Sequence, residues 1–159
     1  MTKILTGIFL GTLITIGSAA IAAGTGADPV VGTWKLNAAK STFSAGPAWK
    51  SQTRIYSQSA QGITLNMKTV GADGKEINSQ TTYQLDGKDY PVTGVAAYDS
   101  LSGKQVDSNT AEFTLKMAGK AVGQTRRTVS KDGKTLTSTL KITNEKGEKT
   151  ENVTMFDRQ

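Results

Sequence analysis

TAEFTLKM, residues 110–117, decides the fold class. Ala111, Phe113, Leu115 and Met117 fall on one face of an extended chain, and Thr110, Glu112, Thr114 and Lys116 on the other. Alternation with one apolar face marks a half-buried antiparallel strand. The same pattern recurs upstream in ITLNMKT, where Ile63, Leu65 and Met67 oppose Thr64, Asn66 and Lys68. Downstream, TLTSTLKIT separates Leu136, Leu140 and Ile142 from Thr135, Thr137, Thr139 and Lys141. No window of helical length carries apolar residues at three- and four-residue spacing.

The punctuation between these runs is hairpin chemistry. Asp73-Gly74, Asp86-Gly87 and Asp132-Gly133 each begin a DGK triplet. Gly accepts positive φ and Asp tolerates it, so Asp-Gly suits tight turns. A Ca²⁺ loop needs further oxygen ligands at fixed spacing, which the triplets lack, so they are turns and not metal sites. Strands are expected near 30–36, 49–58, 63–70, 76–85, 88–93, 96–106, 110–117, 121–130, 135–143 and 150–157. The pattern is weakest from Pro91 to Val106. Such a meander of about 8–10 strands either closes into an up-and-down barrel or folds as a sandwich. Closure removes exposed edges and is the preferred reading.

The first 22 residues read as a cleaved signal peptide. Lys3 precedes a mostly apolar run from Ile4 to Ile16, and Ala20-x-Ala22 supplies the small residues of a cleavage site. The alternative is a membrane anchor, but the run is short of the about 20 residues a span needs. The expectation is residues 1–22 removed, 23–159 one β domain, and a periplasmic or extracellular location with no stable membrane span after cleavage.

The chain has no Cys and no His. Disulfides and Cys lipidation are therefore excluded. Without His or Cys, the usual zinc, haem, Ser-His and Cys-His chemistries lose their ligands and bases. Most acids sit in turns; Asp86, Asp89 and Tyr90 form the one polar cluster to weigh for acid–base work, and turn chemistry explains it. The reading is not an enzyme, with no cofactor. A net charge of +6 comes from scattered Lys residues, without a basic block or an interleaved aromatic platform, so nucleic acid is not an expected partner. Oligomeric state is left open.

VVGTWKL, residues 30–36, resembles the first strand of the fatty-acid-binding proteins, and Gly32-x-Trp34 resembles the G-x-W motif of the lipocalins. Both are calycins, small ligand-holding barrels. GTWKLN, DGKDYPVTG and SKDGKT also resemble segments of a set of small secreted bacterial proteins of unknown function. The calycin resemblance implies that Trp34 closes one end of the barrel beneath a cation from near the last strand. Arg158 is the first candidate for that cation, with Arg126 and Arg127 as alternatives. Gly32 would let neighbouring backbone approach. The chain departs from these families in three places. Asn37 to Ala48 is too short for a helix pair, so a single helical turn or an Ω-like loop is expected. NVTMFDRQ at the end lacks Arg-x-Tyr, and the lipocalin T-D-Y motif is missing.

Two strands have faces that alternate weakly. Arg54 and Tyr56 share a face of 49–58, and Arg127 and Arg126 occupy opposite faces of 121–130. Barrels that hold ligands tolerate inward polar residues. The expected lining is Arg54, Tyr56, Met67, Tyr83, Phe113, Met117 and Arg127, with one Arg meeting an anionic head group. The expected function is non-catalytic binding of a small apolar or amphipathic ligand. The alternative is a filled barrel that acts as a ligand-free structural or interaction protein of the cell envelope.

Overall fold

The computed structural model describes residues 26–44, 47–143 and 146–159. The expected signal peptide lies outside the described residues. The strands are β1 (Gly32–Leu36), β2 (Thr42–Phe43), β3 (Ser51–Ser59), β4 (Gly62–Val70), β5 (Glu76–Tyr83), β6 (Asp86–Thr93), β7 (Ser100–Asp107), β8 (Thr110–Met117), β9 (Lys120–Val129), β10 (Thr135–Thr143) and β11 (Lys149–Arg158). Apart from β2, every strand pairs antiparallel with the next in sequence, and β1 pairs with β11 through Trp34↔Arg158 and Leu36↔Phe156. The meander therefore closes into an antiparallel up-and-down barrel, with short β2 attached to β11 at Asn152 and Val153. Closure satisfies the edge N–H and C=O groups that an open meander would expose. Among the described residues, no helix is long and apolar enough to cross a membrane.

The link from β1 to β3 contains one 3₁₀ turn, Ala38–Lys40, capped by the Asn37 side chain, which accepts from the Lys40 amide. Local side-chain acceptance of this kind stabilises so short a turn. The expected strand at 96–106 begins later, at Ser100, because residues 94–99 form a connection folded over the barrel end.

In all three DGK triplets the Asp carboxylate accepts the amide two residues on, from Lys75, Lys88 and Lys134. Gly74, Gly87 and Gly133 take φ of 84°, 78° and 70°. Only two of the triplets are hairpin turns. Asp86-Gly87-Lys88 opens β6 and produces a register shift against β7 between Asp86 and Asp89. Residues 84–85 make that connection instead, and the triplet is a bulge. Pairing between β5 and β6 is confined to Gln80↔Thr93 and Thr81↔Val92, the thinnest seam around the closed barrel.

The connections alternate between the two ends of the barrel. The end holding the segment before β1 is packed shut: Val30, Trp34, Leu136 and Phe156 are all fully buried there. The opposite end holds Trp49, Ile77 and the 94–98 segment, all of which border an internal cavity.

Candidate functional site

The barrel interior holds a cavity of about 550 Å³. Arg54, Tyr56, Met67, Tyr83, Phe113 and Arg127 all line it. Met117 does not. It is the last residue of β8, beside the Ala118-Gly119 turn, and a register shift after Leu115 takes β8 and β9 out of step there. Arg126 faces outward and pairs with Glu112 across the strands. Asp89 and Tyr90 are spent at the surface, on Lys116 and Asp86. The interior is not packed shut: Met67, Tyr83, Phe113, Leu115 and Leu140, the residues large enough to fill it, form its wall.

The two inward guanidiniums are in opposite electrostatic situations. Arg127 is 4 % exposed and ion-paired. Its Nη2 donates to Asp28 Oδ2 at 2.5 Å and its Nη1 to the Tyr83 hydroxyl at 2.8 Å. The rings of Phe113, Tyr56 and Tyr83 surround its guanidinium carbon at 5.6, 5.7 and 5.9 Å. A buried charge is stable only when paired and hydrogen-bonded in this way. Burial, opposed by the nearby Arg127 charge, pushes the Tyr83 phenol far above its ordinary range, so it stays neutral.

Arg54 takes part in none of the ion pairs among the described residues. Its Nε donates to Gln52 Oε1 at 2.9 Å, and its guanidinium carbon stands 4.3 Å from the Phe156 ring centre. Gln52 is 1 % exposed and in turn donates to Thr69 Oγ1 at 2.6 Å. Thr69, Gln52 and Phe156 therefore hold the guanidinium in place through one edge and one face. The two terminal nitrogens of Arg54 make no hydrogen bond to a described residue, yet no fully buried side-chain nitrogen or oxygen among the described residues lacks a partner. Those nitrogens consequently open onto the cavity. Tyr98 lies in the Arg54 field; burial raises its phenol and the Arg54 charge partly offsets that.

At the closed end, Arg158 packs over Trp34 and donates Nη1 to Val31 O, Nη2 to Pro29 O and Nε to Gly133 O. What comes close to Gly32 is this side chain rather than backbone: a Cβ at Gly32 would stand 2.5 Å from Arg158 Nη1.

Four contributors escape a reading of the sequence. Gln52 shares the period-two face of Arg54 and Tyr56, a signal that was present. Tyr98 sits in the segment of weakest pattern. Asp28 and Phe156 come from the chain ends, where only closure of the barrel brings them to Arg127 and Arg54.

No protein-family model matches this sequence, and no curated protein matches it. Two solved structures are similar in fold. A zebrafish ileal bile acid-binding protein complexed with cholic acid is 10 % identical, with a TM-score of 0.49 over 82 % of this chain and 99 % of that one. The siderocalin Ex-FABP is 11 % identical, with a TM-score of 0.38 over 82 % of this chain and 74 % of that one. At these identities no residue of the site is carried over from either.

Proposed function

We propose that this protein holds one small amphipathic anion, without chemistry, inside the barrel. The observation that carries the reading is Arg54, a cavity-facing guanidinium without a carboxylate partner among the described residues, held by Gln52 and Phe156. An inward cation left uncompensated is costly unless an anion or water meets it. The rest of the wall suits an apolar body: Leu65, Met67, Leu101, Phe113, Leu115 and Leu140. Met67 adapts to guests of different shape through its flexible thioether. The volume falls within the range of small-molecule sites, about 300–1,000 Å³. With residues 1–22 read as a leader, the binder works in the periplasm or outside the cell.

Displacement of a lipophilic fluorescent probe tests this reading. A fatty carboxylate and the alcohol of the same chain length are titrated into wild type and Arg54→Gln. The carboxylate should weaken about 10- to 100-fold in the variant, the span of one lost charged hydrogen-bond partner. The alcohol should be nearly unaffected. A wild-type barrel that takes up no probe returns the protein to the interaction reading. Guests that bind without regard to Arg54 are held by burial alone.

A further inference from the structure

We infer that Asp28 sets the charge selectivity of the cavity, admitting a guest with a single negative charge and opposing one that is anionic at both ends. The inference rests on the binding reading above. Two guanidiniums, Arg54 and Arg127, line the cavity. Only Arg127 is neutralised, and the neutralising carboxylate comes from outside the barrel wall, on the segment that precedes β1.

That segment is locked in place. Asp28 Oδ1 accepts the Val30 amide at 2.9 Å, and the Asp28 amide donates to Gln58 Oε1 at 2.8 Å. The carbonyls of Pro29 and Val31 accept from Arg158, and that of Val30 accepts from Trp34 Nε1. Both carboxylate oxygens of Asp28 are thus occupied, and its side chain is only 13 % exposed. It is a fixed negative charge rather than a movable one.

The consequence is an interior of two cations and one anion. A monoanion on Arg54 balances it. A second negative charge brought to Arg127 would have to share it with Asp28, where like charges repel, or displace Asp28 and strand it. A neutral group of the guest that reaches Arg127 meets instead the neutral Tyr83 hydroxyl. That hydroxyl accepts from Arg127 and donates its own proton to no group among the described residues. The guest class is therefore a monoanionic amphiphile whose second end is neutral, and an oxygen acceptor there finds a donor.

Hexadecanoate, hexadecanedioate and its monomethyl ester test the inference by displacement of a bound fluorescent probe. Wild type should bind the dicarboxylate at least about tenfold more weakly than the other two, because juxtaposed like charges discriminate strongly. Asp28→Asn preserves the acceptor for Val30 and removes the charge; it should bring the dicarboxylate to near parity by strengthening it. Asp28→Asn/Arg127→Gln should restore the discrimination, since no cation remains for the second charge. Asp28→Ser, which also leaves an acceptor for Val30, serves where the Asn variant does not fold. A dicarboxylate-to-monocarboxylate ratio unchanged in the folded single variants overturns the inference, as does equal weakening of all three guests. If hexadecanoate still depends on Arg54 in that case, the binding reading stands and this one alone falls. Failure of all three guests to bind wild type overturns both.

Discussion

The Arg158 guanidinium lies 4.2 Å from the centre of the Trp34 ring while donating hydrogen bonds to three carbonyls from two separate segments. One side chain thereby covers the plug and ties the segment before β1 to the β9–β10 turn. A cation over an aromatic face contributes about 0.5–2 kcal/mol, and the fork geometry of Arg makes the three bonds compatible.

Trp34→Ala should destabilise the barrel by about 3–5 kcal/mol, the cost of emptying a buried aromatic site. Trp49 is half-buried and stacks edge-on with Phe43 at 5.2 Å at the other end, so Trp49→Ala should cost less. Denaturant midpoints of the two variants measure the difference. Equal, small losses would show that Trp34 is not the plug.

Gly32→Ala should cost about 1–3 kcal/mol, typical of backbone held where L side chains are strained. Gly32 has φ of 138°, and its missing side chain is the space that Arg158 occupies. Thermal unfolding of Gly32→Ala alone and with Arg158→Met separates the two causes. The strain persists in the double variant, whereas the clash is relieved. A single variant as stable as wild type contradicts both.

Stability should be flat from about pH 5.5 to 8, because the chain has no His to titrate there. Below that the turn carboxylates act. Asp86 is held below its ordinary value chiefly by the Lys88 amide, Asp99 by that of Ala118, Asp107 by that of Asn109, and Asp132 chiefly by the Ser130 hydroxyl. Carboxyls depressed in the folded state contribute stability above their unfolded values, and it is lost as pH falls through the folded ones. The thermal midpoint should therefore decline below about pH 4, and Asp132→Asn should make the acid slope shallower. A midpoint that rises on acidification would contradict the assignment.

Export should leave a chain that begins near Ala23. N-terminal sequencing of the protein from its native compartment checks this, and an intact Met1 in the membrane fraction would sink it.

Most strand positions, two of the three DGK turns and the fold class were legible in the residues themselves. Period-two alternation needs only neighbours in sequence, and Asp-Gly turns need only local φ preferences. ITLNMKT and TAEFTLKM show this most plainly, since each became a strand with the expected face inward through Leu65 and Leu115. The inner lining was legible only in part. In β3 the alternation groups Arg54 with Tyr56 and opposes them to Ile55, but does not say which group turns inward. Hydrophobicity alone would put Ile55 inside; it is 47 % exposed, and Arg54 lines the cavity. Closure made that choice, because the register Trp34↔Arg54 sets Arg54 on the face of the buried Trp34. The tertiary structure also separated the two inward Arg residues. Arg127 is neutral in sum and Arg54 is not because Asp28, 99 residues before Arg127, reaches it across the closed end. Local sequence carries face and turn, which depend on short-range sterics; charge balance inside a barrel depends on which distant segments its closure brings together.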